Sequence, residues 1–185
     1  QNYGRETASS TVHFYQNVTG ELGLKLFIKQ LMAQPSVCFD TETTDLNPLK
    51  AELVGISFSW EAHKGFYIPF PEIFEDAKQL IELFRPFFES TAIEKIAHNI
   101  KYDLKVLNRY GIQVAAPTFD TMVAHYLINP ESKQSMDFLA EFYLKYRPIS
   151  IETLIGKKGK NQGNMRDLKP EEVSDYACED ADITF

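Results

Sequence analysis

One short segment, residues 36–44, constrains this chain more than any other, because it joins an apolar strand to two carboxylates. Its sequence is Ser-Val-Cys-Phe-Asp-Thr-Glu-Thr-Thr. Successive side chains of a strand point to opposite faces of a sheet, so Asp40 and Glu42 are predicted to leave the sheet on the same side. Neighbouring carboxylates repel each other and resist ionisation. A fold can keep this pair only if something offsets the repulsion.

Two interpretations of the pair are open at this point. A divalent cation would offset the repulsion directly, since hard cations prefer carboxylate oxygens as ligands. Alternatively, the two acids stand at a solvated strand end and bind nothing. The choice depends on whether other parts of the chain bring further acids to the same place.

Two later segments supply such acids. The sequence Asn-Ile-Lys-Tyr-Asp at residues 99–103 follows a short apolar run and is predicted to open a helix. The sequence Tyr-Ala-Cys-Glu-Asp at residues 176–180 lies in a helix predicted to start near Pro170. Tyr176 and Asp180 are four residues apart, so they share one helix face. Three separate segments therefore offer Asp40, Glu42, Asp103 and Asp180, with a phenol beside the last.

This combination resembles the DEDD family of 3′–5′ exonucleases, in the branch that carries a tyrosine on the last helix. Within that family it is similar to the proofreading exonuclease domain of bacterial family-A DNA polymerases, from about residue 15 to the end. The histidine-containing branch has a histidine on this helix, and this sequence has none between Arg147 and Phe185. The matching segments are Phe39-Asp40-Thr41-Glu42-Thr43, residues 99–103, Phe119-Asp120-Thr121-Met122, Gly159-Lys160-Asn161-Gln162 and Glu179-Asp180-Ala181-Asp182.

The resemblance implies a two-metal hydrolysis of phosphodiesters, which uses ions roughly 3.5–4 Å apart. The ions are expected to be Mg²⁺, which Mn²⁺ or Zn²⁺ could replace. By resemblance, Asp40 bridges both ions, Glu42 and Asp180 complete the first, and Asp103 serves the second. Tyr176 is expected to orient the attacking water, because a phenol with a pKa near ~10 suits positioning better than acting as a base.

Further residues are expected to border a pocket for the nucleic-acid strand. Leu46 either covers the edge of the sheet or forms an apolar wedge against the terminal bases. Asn99 either contacts sugar or phosphate or caps the helix that follows it. The expected substrate-binding residues are Thr43, Leu46, His98, Asn99, Tyr102, Lys160 and Asn161. Four acids are interpreted instead as helix caps or surface groups: Asp45, Asp120, Asp137 and Asp182. His63 and His125 are interpreted as structural or exposed.

The periodicity of apolar residues predicts an α/β domain. Strands near residues 36–44, 53–60 and 65–69 are joined by short links and are predicted to form an antiparallel meander. Runs at 93–97 and 114–119 follow helices; the first is predicted to be a parallel strand, and the second a short parallel strand or an extended segment. Together with the resemblance, this predicts a ribonuclease-H-like fold, a mixed five-stranded sheet of three antiparallel and then two parallel strands flanked by helices. Residues 11–18 are either an edge strand or an extended segment, and Pro86 is predicted to break a helix over 76–88 near Arg85.

Loop composition predicts one mobile basic segment. Residues 156–167 contain three glycines with Lys157, Lys158, Lys160 and Arg166, and no apolar periodicity. The Gly-x-x-x-x-Gly-Lys-Ser/Thr pattern is absent, so a phosphate-binding P-loop is excluded. Met165 stands where some members of the family carry an aromatic residue.

Length and charge limit the remaining possibilities. The chain has 185 residues, suited to one domain at 11–185 preceded by a polar, flexible lead-in at 1–10. A net charge of −7 argues against general binding to nucleic acid, so a strand must be held by metals and a few local groups. Cys38 and Cys178 are predicted to be buried free thiols, and no leader or membrane-spanning run is apparent. A bacterial cytoplasmic location is expected.

The leading hypothesis is a metal-dependent 3′–5′ exonuclease domain that trims single-stranded or frayed 3′ ends of DNA to 5′-monophosphates, for proofreading. A polymerase domain in the same longer chain would be its partner, and the fragment itself is expected to be a monomer that does not bind membranes. Two alternatives stay open: a catalytically silent scaffold domain of the polymerase, and a related exonuclease that trims RNA.

Overall fold

A computed structural model of the chain describes residues 5–185. The strands are β1 (Phe14–Asn17), β2 (Ser36–Thr43), β3 (Leu53–Ser59), β4 (Lys64–Pro69), β5 (Glu94–Ala97) and β6 (Thr118–Asp120). The α-helices are α1 (Glu21–Leu31), α2 (Phe74–Glu82), α3 (Arg85–Phe88), α4 (Ile100–Arg109), α5 (Thr121–Ile128), α6 (Met136–Leu139), α7 (Ile151–Ile155) and α8 (Pro170–Thr184). A π-helical turn at Ala140–Leu144 follows α6, and a 3₁₀ turn at Met165–Asp167 precedes α8.

One mixed sheet, in the order β1-β4-β3-β2-β5-β6, organises these elements. The meander β2-β3-β4 is antiparallel, and β5 and β6 extend it in parallel, which confirms the predicted fold class. The predicted number of five strands is wrong, because β1 pairs in parallel with β4 as a sixth strand. This short segment is half-exposed, and backbone pairing makes it a strand: the N–H groups of Phe14 and Val18 donate to the carbonyls of His63 and Tyr67, each at 2.8 Å.

The alternation along β2 separates two layers of the domain. Val37 and Phe39 belong to the main apolar core, which the aromatic residues of α1, β3 and α3 also fill. Cys38, Asp40 and Glu42 point to the other face, which α8 covers. A second apolar cluster lies under α8 and is formed by Val54, Tyr67, Met165, Val173, Ala177 and Cys178. The carboxylates of β2 thus lie between the sheet and the last helix.

Close contact between α8 and β4 requires a glycine at position 65. A Cβ atom at Gly65 would lie 2.6 Å from the Cβ of Cys178 and 2.9 Å from its carbonyl oxygen. Such distances are shorter than van der Waals contact, so any larger residue would move the helix away from the sheet. Gly65 therefore fixes the height of α8 above the strands that carry the acids.

Several other sequence predictions can be compared with the structure. The break near Arg85 is confirmed, since α2 ends at Glu82 and α3 begins at Arg85. Cys38 and Cys178 are buried free thiols, as predicted. No helix within residues 5–185 is long and apolar enough to cross a membrane. Of the predicted lead-in, residues 1–4 lie outside the described part, and Glu6 forms an isolated parallel bridge with Tyr146.

Candidate active site

Three carboxylates meet between β2 and α8. Asp40 and Glu42 come from the end of β2, and Asp180 comes from the middle of α8; one oxygen of each lies within 4.8 Å of the others. The strand places its two acids on one face because they are two residues apart, and the close packing at Gly65 brings α8 to them. The arrangement can hold a cation between strand and helix.

The fourth predicted acid, Asp103, approaches from the opposite face of β2. It lies in the first turn of α4 and is 2 % exposed. The hydroxyl of Thr41 donates a hydrogen bond of 2.5 Å to its Oδ1 atom. Asp103 is outside the three-carboxylate cluster but lines the same cavity. Its carboxylate therefore lines the cavity from another side than the three clustered acids.

Burial makes the four acids reluctant to ionise. It raises the pKa of Asp40 to about 7. For Glu42, Asp103 and Asp180, burial first and the charge of Asp40 second raise the pKa well above its usual range. None of the four forms an ion pair with Lys or Arg in the part of the chain that the structure describes. The protein itself leaves this negative charge uncompensated.

One carboxylate oxygen tests whether a metal ion fits here. The Oε1 atom of Glu42 is buried and has no hydrogen-bond partner among residues 5–185. A buried polar atom without a partner is costly, and a cation in the cluster would coordinate it. The surrounding donors are carboxylate oxygens, the ligands that Mg²⁺ and Mn²⁺ prefer. The residues present thus fit hard divalent cations.

Tyr176 stands one helical turn before Asp180 and lines the cavity. Burial, followed by the negative charges of Asp180, Glu42 and Asp40, raises the pKa of its phenol. The hydroxyl therefore stays protonated at neutral pH and can donate a hydrogen bond. It cannot serve as a base.

The cavity in front of the acids has a volume of about 680 Å³. Five of the predicted substrate-binding residues line it: Thr43, Leu46, His98, Asn99 and Tyr102. Leu46 is 83 % exposed, which argues against the alternative that it covers the sheet edge. Asn99 occupies the N-cap position of α4, as the capping alternative predicts, but its side chain makes no capping hydrogen bond. Both ring nitrogens of His98 are already engaged, with Thr121 and the carbonyl of Gln134.

The basic loop meets the cavity at different residues from those predicted. Lys160 and Asn161 are exposed and do not line the cavity, whereas Lys158 and Gln162 do. The loop closes back on α7, because the N–H of Gly163 donates to the carbonyl of Ile155 at 2.7 Å and thereby turns the segment after Asn161 towards the cavity. The contacts of Lys160 and Asn161 with a strand stay predictions.

The last part of the basic loop is attached to the sheet. Met165 is 3 % exposed and belongs to the second apolar cluster. The guanidinium of Arg166 donates to the carbonyls of Leu53 and Pro71, and the side-chain amide of Asn164 donates to the carbonyl of Thr44. Residues 164–166 are therefore fixed against β3 and the loop that precedes it.

Three carboxylates outside the cavity hold the elements of the site together. Asp120 accepts from the N–H groups of Asn99 and Ile100, as well as capping its own helix. Asp182 accepts from the hydroxyl of Tyr15 at 2.8 Å and from the N–H of His63 at 2.7 Å. Glu179 accepts from the hydroxyl of Tyr146 and the N–H of Ile149. The interpretation of Asp120 as a helix cap is correct. Asp182, on α8, accepts from the backbone of the turn at His63. The only feature of the sequence that points to Glu179 and Thr41 is that each is a polar residue in a segment predicted to be buried.

Comparison with known proteins places this geometry among nucleases. A protein-family model described as 3′-5′ exonuclease matches residues 15–185. DNA polymerase I of Borreliella burgdorferi is 38 % identical over 174 residues, which are 92 % of this chain and 19 % of that protein. DNA polymerase I of Pseudomonas aeruginosa is 28 % identical over 194 residues, with 100 % of this chain and 21 % of that protein covered. The chain thus spans about a fifth of the length of these relatives.

Solved structures with a similar fold include two proteins of low sequence identity. The catalytic core of RRP6 from Trypanosoma brucei has a TM-score of 0.69 at 18 % identity and covers 94 % of this chain and 47 % of that one. Escherichia coli RNase D, an exoribonuclease involved in structured RNA processing, has a TM-score of 0.67 at 19 % identity, covering 91 % and 42 %. At such identities the likeness shows the fold alone.

Proposed function

Because this chain belongs to the 3′–5′ exonuclease family of bacterial DNA polymerase I, we propose that it removes 3′-terminal nucleotides from DNA by metal-dependent hydrolysis, as the proofreading domain of a longer polymerase. The observation that carries the proposal is the convergence of Asp40, Glu42 and Asp180 at one cavity, with an oxygen of Glu42 that has no partner in the described part of the chain. A catalytically silent scaffold would have no use for buried, uncompensated acids, so their presence argues against that alternative.

In the proposed reaction, a water oxygen forms a new bond to the last phosphorus, and the bond from that phosphorus to the O3′ of the preceding nucleotide breaks. The products are a nucleoside 5′-monophosphate and a strand that ends in a 3′-hydroxyl. Divalent ions supply the activation of water and the stabilisation of the leaving oxygen when bound. Asp40, Glu42 and Asp180 would hold one ion, and Asp103 would contribute to a second.

Each remaining group acts on the strand or on the attacking water. The protonated phenol of Tyr176 donates a hydrogen bond that orients the water, beside the carboxylate of Asp180. Leu46, exposed at the mouth of the cavity, packs against the terminal base, a contact that tolerates any base. Lys158 offers positive charge to the phosphate backbone. Unpaired ends are preferred, because a cavity of this kind holds bases that have left the duplex.

The proposal is tested with matched single-stranded DNA and RNA oligonucleotides, labelled at the phosphate of the 3′-terminal nucleotide, in Mg²⁺ or Mn²⁺. We expect the DNA to shorten from its 3′ end with release of mononucleotides, and no release in EDTA or from Asp40→Asn. Asp137→Asn, a change of an exposed acid outside the cavity, is the matched control and should behave as wild type. Release by Asp40→Asn at the wild-type rate would overturn the assignment, and faster decay of the RNA would identify an RNA-trimming enzyme instead.

A further inference from the structure

The acids and the threonines of Asp40-Thr41-Glu42-Thr43 point to opposite faces of β2. The acids face α8, whereas the threonines face α4. The hydroxyl of Thr41 donates to Oδ1 of Asp103 at 2.5 Å, and the hydroxyl of Thr43 shares a hydrogen bond of 2.5 Å with that of Tyr102. Two threonines of the strand thus bond two consecutive residues in the first turn of α4.

Thr41 is a polar residue at a position where the strand pattern calls for an apolar one. Val37 and Phe39, which precede it on the same face, are fully buried in the main core. Thr41 continues that row and is 7 % exposed. Valine has the same shape and would bring no hydroxyl that needs a partner. The bond to Asp103 is what distinguishes threonine from valine at this position.

The bond from Thr41 restricts the orientation of the Asp103 carboxylate. Asp103 is 2 % exposed, lies across β2 from the other three acids and has no ion pair among the described residues. A donor at a fixed distance restricts the rotation of a carboxylate. Hydrogen bonds of this kind, one layer behind the ligands, orient metal-binding groups.

We propose that Thr41 is a positioning residue of the site, whose hydroxyl holds the carboxylate of Asp103 in the orientation in which it contributes to a divalent cation beside Asp40. This inference rests on the proposed function. Thr41 acts only through Asp103 and need not touch the strand.

Two variants separate the hydroxyl of Thr41 from its shape. Thr41→Val keeps the branched side chain and removes the donor, whereas Thr41→Ser keeps the donor and removes a methyl group. Ser59→Ala is the control, because it removes a buried strand hydroxyl that bonds the carbonyl of Glu61, away from the cavity. For each protein, Mn²⁺ binding is measured by titration calorimetry, and kcat and KM are measured with single-stranded DNA.

We expect Thr41→Val to weaken Mn²⁺ binding or lower kcat by about 10–100-fold, the usual effect of losing such a supporting bond, with KM for DNA unchanged. Thr41→Ser should restore both values to near wild type, and Ser59→Ala should leave them unchanged. Adding Thr41→Val to Asp103→Asn should cause no further loss, since the bond is already without its charged acceptor.

Three outcomes would overturn the inference: wild-type Mn²⁺ binding and kcat in Thr41→Val, an equal loss in Thr41→Ser, or a further loss in the double variant. If Thr41→Val does not fold, Thr41→Cys, with its weak S–H donor, takes its place. Mn²⁺ binding decides the inference even if the wild type releases no nucleotide, a result that would count against the proposed function alone.

Discussion

Glu42 is a buried side chain whose negative charge is destabilised by its surroundings. Its carboxylate lies beside Asp40 and Asp180, and its Oε1 atom lacks a partner among the described residues. Burial and the charges of Asp40 and Asp103 raise its pKa, so its ionised form is destabilised in the metal-free protein. The residue is retained at a cost in stability, which is the usual relation between metal sites and folding.

Replacing Glu42 by Gln should therefore stabilise the metal-free chain and remove its response to metal. At pH 8 we expect the free energy of unfolding to rise, because the change removes a negative charge that burial and the charges of Asp40 and Asp103 destabilise. Thermal unfolding in EDTA and in Mn²⁺ measures both effects. Glu61→Gln, at an exposed position, is the control; a lower stability of Glu42→Gln in EDTA would contradict the argument.

Tyr176 differs from the acids because its hydroxyl stays protonated and acts as a hydrogen-bond donor. Replacing it by Phe should lower kcat by about 10–100-fold while KM and Mn²⁺ binding stay near wild type, because only the orientation of the water is lost. Kinetics with single-stranded DNA at saturating Mn²⁺ measure this. An unchanged kcat would show that the phenol has no part in the reaction.

The elements of the site are held in register by contacts outside it. Helix α8 carries Tyr176 and Asp180, and Glu179 and Asp182 on its other sides bind residues 146–149, Tyr15 and His63. On the opposite face, Asp120 joins the start of α4 to the start of α5. Glu179, Asp182 and Asp120 therefore hold the helices in place through hydrogen bonds outside the cavity. Asp40, Glu42 and Asp180 are not used for this purpose.

The contact between α8 and β4 gives a prediction for the whole helix. Gly65→Ala should lower the free energy of unfolding by about 1–3 kcal/mol, as overpacking usually does, and should lower kcat because Asp180 moves with α8. Gly23→Ala, a change within α1, is the matched control, because the nearest atom to its new Cβ would be Cγ1 of Val18 at 3.9 Å. That change should be neutral or stabilising by about 1 kcal/mol. Denaturant unfolding and kcat measure both, and equal stability of the two variants would contradict the packing argument.

For the whole molecule, the raised pKa values of the acids couple folding to pH. A carboxyl whose pKa is raised by folding adds stability below its unfolded pKa and loses it as pH rises through the folded value. For Asp40 that window runs from about 4 to about 7. His98 is partly buried, which lowers its pKa; it therefore has the opposite effect and weakens the fold on the acid side.

We therefore expect the metal-free wild type to lose stability relative to Asp40→Asn between pH 4 and pH 8, and millimolar Mn²⁺ to raise the Tm more at pH 8 than at pH 5. The comparison with Asp40→Asn removes the contribution of His98, which both proteins share. Melting curves over this pH range, in EDTA and in Mn²⁺, measure the effect. A constant difference between the two proteins would refute the linkage.

Local patterns in the sequence were sufficient for much of the fold. Alternation predicted that Asp40 and Glu42 share a face, and Pro86 predicted the break between α2 and α3. Asp120 was interpreted as a helix cap or a surface group, and the structure shows the cap. Each depends on neighbours within a few residues, where backbone geometry leaves few choices. The same reasoning extended to the three antiparallel and two parallel strands.

Contacts between distant segments could not be obtained in this way. No repeat or spacing in the sequence indicates these contacts. They include the pairing of β1 with β4, the hydrogen bond from Thr41 to Asp103 and the anchoring of α8 by Asp182. The position of Lys158 rather than Lys160 at the cavity depends on such distant contacts as well. The sequence by itself determined which side chains can share a face of a strand or helix. The tertiary structure decided which faces meet, because that depends on how the whole chain packs its apolar surface and satisfies its buried polar groups.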